Sequence, residues 1–506
     1  MKWNTPLLQQ LPPRPWWDRT AYALLLILIV WAPLPLGSNR PWALAMLGLG
    51  AWLALLVWLG GAATQAATQA AVRPWGRLAA GGAGVAVLAG FALLTAAQLA
   101  GHAGAPWAGV LATLDDMQTR THLYTTLVYL AVFALVLATA GRPGRVRGVL
   151  ATVAASGVLQ AALAVLLQAT GAHYQLFFTT FDQGGRATGT YPNPDHLAGY
   201  MELGLSAGVG LLLTQMRGGG GAAHWRHWLL GLMQFLLSPK MLVRLTMLLM
   251  VVALVMTHSR MGNAAFFVTL LLVGLLVAAR SRALRQPALW LVASMALVDL
   301  VVVGQWVGLE RVAQRVAGSI EATQAQLQEP VFGDGALAPP PREQSLQERL
   351  ALPQAALPLV WQRPWFGHGG GTFVLAMPAV KPPGFPHHWD HAHNDYVEIA
   401  VDTGLVGLGL LLALAVATLW RAWPALADAP QPTDDDRLKR GVAVAAWMAL
   451  SCMALHGLVD FNLQIPANAM TLVVLVALVW AGTGGGAKAL RQAREDANAP
   501  EGSVQK

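Results

Sequence analysis

Long apolar segments alternate with short polar links along almost the whole chain. Each segment has about 18 mostly apolar residues, enough for a helix to cross the hydrocarbon core of a bilayer. Twelve such segments lie at 20–36, 41–60, 79–100, 122–140, 148–170, 196–215, 241–257, 262–279, 286–307, 403–420, 441–460 and 468–483. The pattern therefore predicts an all-α polytopic membrane protein with about twelve transmembrane helices.

The composition favours one membrane domain over several soluble ones. Hydrophobic residues make up 55% of the 506 positions and charged residues only 11%, so membrane spans occupy most of the length. We expect helices 1–9 in 1–307, a large loop in 308–402, helices 10–12 in 403–483 and a tail in 484–506. Cys452 is the only cysteine, so no intrachain disulfide can form.

Basic residues are concentrated in every second link, and this predicts an orientation. A cytoplasmic N-terminus places 23 of the 33 Lys and Arg on the inner side, as the positive-inside rule requires. Both termini are then cytoplasmic, the first span is not cleaved, and 171–195 and 308–402 lie on the outer side. A net charge of +8 would also suit nucleic acid, but basic clusters between apolar runs indicate membrane lipid as the partner and no nucleic acid.

The most polar part of the chain, residues 390–402, runs directly into an apolar segment. His393 could accept a proton from a hydroxyl group, because an imidazole titrates near neutral pH. Its orienting partner could be any of three acids, Asp395, Glu398 and Asp402. Two alternatives compete with this interpretation: a histidine that caps a helix, and a metal site that also uses further histidines. Those histidines are His387, His388 and His391.

Two glycines follow this polar stretch, and we interpret the stretch itself as a loop clamped onto a helix end. Gly404 and Gly407 are three residues apart, which on a helix puts them on one face and lets another backbone approach. A similar polar motif, His456 to Pro466, ends the next span and brings His456 and Asp460 to the same side as supporting residues.

Two arginines on the predicted outer side could bind phosphate, because guanidinium groups are permanently charged and fork onto phosphate oxygens. They are Arg186, in a turn-rich loop, and Arg260, in the tight link between two spans. Each could instead be a topological anchor or the ion-pair partner of Asp182 or Asp195, and Asp195 could cap the helix that begins there.

Other classes of function are less well supported by the sequence. There is no Walker loop and no dinucleotide-binding fingerprint, since Gly367–Gly371 lacks the required Lys and Ser or Thr. A transporter or flippase would place ionisable residues in mid-span, whereas the polar motifs here gather on one side of the predicted membrane. An enzyme that acts on a lipid-linked substrate is therefore the preferred interpretation.

The motif His393-Asn394, nine residues, Gly404, two residues, Gly407 resembles the signature of the O-antigen ligase and O-antigen polymerase superfamily without a gap. Ser259-Arg260 and the segments 186–199, 364–371 and 456–466 resemble other landmarks of that superfamily. The resemblance implies a bundle of the GT-C kind in the bacterial inner membrane, with its active site facing the periplasm. It also implies His393 as the base and Arg186 and Arg260 as diphosphate ligands, without metal or other cofactor.

The donor implied by the resemblance is a glycan on undecaprenyl diphosphate, and the acceptor is a hydroxyl of lipid A-core or a related glycan, with inversion at the anomeric carbon. An exopolysaccharide or O-antigen polymerase and a protein O-oligosaccharyltransferase are the alternatives within the superfamily. We expect a ligase, with several residues supporting the three central ones: His391, Asn394, Asp395, Glu398, Gly404, Gly407, His456 and Asp460.

Overall fold

The computed structural model describes residues 15–68, 75–104, 110–174, 185–215, 239–290, 292–294, 346–381 and 389–481. These residues form helices, turns and links, and no strand occurs among them. The helices are α1 Trp16–Trp31, α2 Pro41–Thr68, α3 Gly76–Ala80, α4 Gly82–His102, α5 Asp116–Thr139, α6 Pro143–Thr170, α7 Pro194–Gln215, α8 Pro239–Met256, α9 Arg260–Arg280, α10 Leu346–Gln362, α11 Phe373–Ala376, α12 Asp395–Ala422, α13 Asp434–His456 and α14 Pro466–Trp480. Short 3-10 turns lie at Leu36–Ser38, Met377–Ala379, Trp423–Leu426 and Asn462–Gln464.

The described residues confirm the prediction of an all-helical protein with several membrane-spanning helices. The predicted number of twelve spans is not confirmed. In the part of the chain that the structure describes, eight helices are long and apolar enough to cross a membrane: α2, α4, α5, α6, α7, α9, α12 and α13. Two shorter apolar stretches, Val243–Met256 and Pro466–Trp480, match further predicted spans. Most of the predicted span 286–307 lies outside the described residues, as do the tail and much of the predicted loop 308–402.

Helix α7 lies at the centre of the bundle, because its most apolar window is 94% buried. It packs against α6, α8, α13 and α14. The contact with α13 depends on small residues: a Cβ added at Gly210 would lie 2.5 Å from the carbonyl oxygen of Gly441. Such close backbone approach is how helices associate in lipid, where the hydrophobic effect adds little. The last turns of α7 therefore pack closely against the first turns of α13.

Several helices begin or end at one end of the bundle, which we call the site end. Helices α8 and α13 end there, while α7, α9, α12 and α14 begin there. The opposite end is basic and carries Arg142, Arg145, Arg280, Arg421, Arg437, Lys439 and Arg440.

Helix α10 and the links around it form a small separate core over the site end. Its buried side chains Leu352, Ala356 and Leu359 pack with Trp389 and Ala392, among others. Since Trp389 and Ala392 come shortly before His393 in the sequence, this core fixes α10 against the segment that carries His393.

Two sequence predictions about helix starts are wrong. The stretch 395–402 was expected to be a loop but forms the first turns of α12, because Asn394 caps it by accepting a hydrogen bond from Val397 N at 3.0 Å. Asp195 was expected to cap α7, but its own N–H donates to Asn193 Oδ1 at 2.8 Å, so Asp195 lies in the first turn. Its carboxylate is thereby left for long-range partners.

Candidate active site

The segment before α12 is tied to the link that follows α13. Asn394 Nδ2 donates to the carbonyl of Leu458 at 2.8 Å, and Asp395 N donates to the carbonyl of Gly457 at 2.9 Å. The Asp395 carboxylate in turn accepts a hydrogen bond from Leu463 N at 3.2 Å. Two polar motifs that are distant in the sequence therefore form one surface at the site end.

His391 is held by a carboxylate. Its Nδ1 lies 2.7 Å from Glu398 Oε1, and the second oxygen of Glu398 accepts from Ala392 N at 2.8 Å. The ring stacks on Phe461 with centroids 4.1 Å apart. Burial opposes protonation, but the Glu398 charge and hydrogen bond outweigh it and raise the pKa of His391. His391 is therefore suited to carry a positive charge.

His393 has very different surroundings, although it is only two residues away. It is 9% exposed, its ring lies edge-on to Trp389 and Phe461, and it makes no hydrogen bond with any described residue. Burial lowers its pKa to about 4, so the imidazole is neutral at pH 7. Its φ of 46° lies in the left-handed region that non-glycine residues seldom adopt. A neutral ring nitrogen without a hydrogen bond is able to accept a proton.

Arg186 lies at the start of α7, where two separate parts of the chain meet. Its Nε donates to the carbonyl of Thr257 at 2.8 Å, and its Nη2 donates to Asp195 Oδ1 at 2.8 Å. The other oxygen of Asp195 accepts from Arg349 Nη2 at 2.7 Å. Arg186 therefore forms an ion pair with Asp195, which was one of the alternatives considered from the sequence. The same carboxylate also forms an ion pair with Arg349.

Arg260 is the first residue of α9 and is exposed. It makes no hydrogen bond or ion pair with the described residues, and the cap of its helix is provided by Ser259 Oγ, which accepts from Gly262 N at 3.2 Å. The link that carries Arg260 is the one whose Thr257 carbonyl binds Arg186. Both arginines therefore flank one short link at the site end.

A buried chain of polar groups lies beneath these residues. His456 Nδ1 lies 2.8 Å from Glu202 Oε1, and its Nε2 lies 3.5 Å from Asp460 Oδ2. His196 Nε2 is 3.9 Å from the other oxygen of Asp460. Burial would raise the pKa of Asp460, but the histidines beside it lower the pKa on balance. His456 and Asp460 thus belong to one buried polar network, and Asp460 directly precedes Phe461, whose ring contacts His393.

Residues 245–412 match the sequence model of a family described as O-Antigen ligase. The resemblance to the O-antigen ligase superfamily is confirmed. No curated protein matches the chain. The matched residues include Arg260, Arg349, His393 and Gly404, whereas Arg186 precedes them and joins them through Asp195.

The glycines of the superfamily motif shape the start of α12. Gly404 interrupts the helix with φ 68° and ψ −176°, and a Cβ there would lie 2.2 Å from the carbonyl oxygen of Trp365. The N–H of the next residue, Leu405, donates to the carbonyl of Pro364 at 2.7 Å. A Cβ on Gly407 would meet the side chain of Thr403. The close approach at Gly404 therefore comes from a break in the helix, not from a regular helical face.

The three acids considered as partners for His393 in this O-antigen ligase motif all have other hydrogen bonds. Asp395 binds the Leu463 amide and Glu398 binds His391. Asp402 accepts from Gly371 N and Phe373 N, each at 2.9 Å. Among the described residues, no group of three His, Cys, Asp or Glu side chains could hold a metal ion; His387 and His388 lie outside these residues.

A cavity of about 600 Å³ opens beside His391. Gln118 and Glu398 line its polar end, and Phe133, Leu414 and Val476 line its apolar end. Gln118 and Phe133 are fifteen positions apart on α5, so the cavity descends about 22 Å along the bundle. This shape suits a molecule with a polar head and an apolar chain, as expected for the lipid-linked substrates that the superfamily implies.

Three residues of this candidate site were not predicted from the sequence. Arg349 lies in the predicted loop 308–402, and nothing in its local pattern distinguished it from an ordinary exposed arginine. Glu202 and His196 lie on α7 within an apolar span. An acid inside a span was a usable indication, since such residues in membrane helices are usually paired and functional.

Proposed function

We propose that this protein is a glycosyltransferase of the O-antigen ligase type, which moves a glycan from undecaprenyl diphosphate to an acceptor hydroxyl at the periplasmic face of the bacterial inner membrane. The observation that carries the proposal is the pairing of an unbonded, neutral His393 with a guanidinium cluster on the same surface. His196, which follows Asp195, and His393 both lie against Phe461, with ring centroids 4.7 and 4.9 Å away.

The reaction needs a proton acceptor and a way to stabilise a leaving diphosphate. His393 takes the proton of the acceptor hydroxyl as its oxygen forms a bond to the anomeric carbon of the donor sugar. The bond between that carbon and the diphosphate oxygen breaks, and its electron pair leaves with the diphosphate. Arg186 and Arg260 stabilise the charge that develops there, because fixed cations at a leaving group lower the barrier most. Displacement from the opposite side inverts the anomeric configuration.

The cavity beside His391 gives this proposal a place for a lipid chain. Its apolar end lies among membrane-spanning helices and its polar end lies at the same surface as the catalytic groups. A substrate whose chain enters the cavity keeps its polar head beside His391, two residues from His393. Holding the reacting groups in this way can supply several kcal/mol of the barrier reduction, about 7–11 at the upper limit.

The activity is tested with the purified full-length protein in lipid vesicles and a synthetic glycan on undecaprenyl diphosphate. Three acceptors are compared: lipid A-core, a second lipid-linked glycan and a peptide with Ser and Thr. We expect undecaprenyl diphosphate to be released with lipid A-core as acceptor, with an inverted anomeric linkage by NMR and no loss in EDTA. Release with none of the three acceptors would overturn the proposal, and the productive acceptor distinguishes ligase, polymerase and protein glycosylation.

The orientation is tested separately by labelling in intact cells. In a Cys452→Ser background, Trp365→Cys at the site end and Gln431→Cys at the basic end are both exposed positions. A membrane-impermeant thiol reagent should label the first in cells with a permeabilised outer membrane and the second only after the inner membrane is breached. The reverse pattern would put the site end in the cytoplasm and contradict a periplasmic reaction.

A further inference from the structure

Asp195 bridges two arginines that come from distant parts of the chain. One carboxylate oxygen accepts from Arg186 at 2.8 Å and the other from Arg349, 154 residues away, at 2.7 Å. Asp195 itself is 2% exposed, whereas the two arginine side chains keep 15% and 20% exposure. The carboxylate is thus enclosed, while both arginine side chains are partly exposed at the site end.

The position of Arg349 is fixed with respect to His393. Arg349 lies on the first turn of α10, and α10 packs through Leu352 and Ala356 into the small core that contains Trp389 and Ala392. Burial is the main reason why the pKa of His393 is low, and the charge of Arg349 adds to this lowering.

A guanidinium group is planar, permanently charged and carries five N–H donors, a geometry that suits bidentate contact with phosphoryl oxygens. Asp195 holds two such groups, those of Arg186 and Arg349, at the same end of the bundle as Arg260.

We propose that Arg349 is a third diphosphate-binding residue and that Asp195 is a positioning residue that holds Arg186 and Arg349 side by side for the donor. This inference rests on the proposed function and adds a ligand to the same site. The helix α10 then serves to bring a cation from the outer segment to the start of α7. Donor binding should therefore involve both α10 and the link before α7 through one carboxylate.

The experiment measures inhibition of transfer by the product undecaprenyl diphosphate, which contains the diphosphate but no sugar. Arg349→Ala should raise its inhibition constant about 10- to 100-fold, since a hydrogen bond to a charged group contributes about 1.5–3 kcal/mol. Arg349→Lys keeps the charge but loses the planar fork, so its inhibition constant should lie between those of the wild type and Arg349→Ala. The Michaelis constant for the acceptor should change little in both variants.

Arg363 provides a matched control just past the end of the same helix. Its Nη1 donates to the carbonyl of Ala112 at 2.6 Å, and it makes no ion pair among the described residues. Arg363→Ala should therefore leave the inhibition constant of undecaprenyl diphosphate unchanged. If Arg349→Ala does not fold, Arg349→Lys and its inhibition constant decide the question.

Two different failures can be told apart. An active wild type whose inhibition constant is unchanged in both Arg349 variants would overturn the role of Arg349 and leave the proposed function intact. A purely structural role would lower thermal stability and turnover without changing the inhibition constant. A wild type that releases no undecaprenyl diphosphate with any acceptor would instead overturn the proposed function itself.

Discussion

His391 and His393 are two residues apart, yet their surroundings differ in almost every respect. His391 is paired with Glu398, stacks on Phe461 and borders the cavity. His393 has no hydrogen bond with the described residues, lies edge-on to Phe461 and has a strained backbone. The paired histidine is stabilised as a cation, while the unpaired one is kept neutral by burial. The proposed function assigns the base to the buried histidine without a hydrogen-bond partner rather than to the one paired with a carboxylate.

The largest effect on this arrangement should come from Gly404, because we expect the break in α12 to set the position of the segment before it, which carries both histidines. Gly404→Val would put a Cβ 2.2 Å from the Trp365 carbonyl oxygen at a φ of 68°, so either the link or the helix must move. We expect a loss of at least about 2 kcal/mol of stability and of nearly all transfer activity. Thermal unfolding in detergent and single-turnover transfer measure both.

The control for this change is Gly409→Ala on the same helix. A Cβ at Gly409 would have no atom within 4 Å, so stability and activity should remain close to wild type. If Gly404→Val were as stable and active as Gly409→Ala, the helix break would not position the histidines.

A smaller effect is expected when the partner of His391 is removed. Glu398→Gln loses the negative charge, so the hydrogen bond to a charged group is lost and stability should fall by about 1.5–3 kcal/mol. The pKa of His391 is raised in the folded state, so the stabilisation is complete below the ordinary pKa of about 6.5 and disappears as pH rises through the raised value. The stability difference between wild type and Glu398→Gln should therefore be larger at pH 6 than at pH 9.

His391→Ala supplies the control background for the same measurement. When His391 is absent, the pH-dependent part of the Glu398→Gln effect should disappear, because its other partner is the uncharged Ala392 amide. A pH-dependent difference that persists without His391 would show that another group titrates against Glu398.

The smallest effect is expected in the dependence of kcat/KM on pH below neutrality. Because burial lowers the pKa of His393 to about 4, the neutral form needed by a base persists well below neutral pH. In the free enzyme, kcat/KM should therefore stay level between pH 7 and about pH 5. A decline centred near the ordinary histidine value of about 6.5 would mean that the base is not the buried, unpaired imidazole.

The sequence was informative where function depends on local pattern and less so where it depends on distant partners. The spacing of His393 and Gly404 identified the motif, and the apolar runs identified the spans. Arg349 could not be found in this way, since its role depends on an ion pair to Asp195 across 154 positions. The first turns of α12 were missed for a related reason: their acids resemble those of a loop, and the long-range hydrogen bonds that hold Asp395 and Asp402 inside a helix cannot be read from the local pattern.

The most direct test of the account separates donor binding from proton transfer at His393. Equilibrium binding of the lipid-linked donor and single-turnover transfer are measured on the same purified wild type, His393→Ala and His391→Ala. We predict that His393→Ala binds the donor like the wild type but transfers about 10²–10⁴-fold more slowly, whereas His391→Ala stays within about tenfold of the wild type. Near wild-type transfer by His393→Ala together with an inactive His391→Ala would contradict the account and assign the base to the paired histidine.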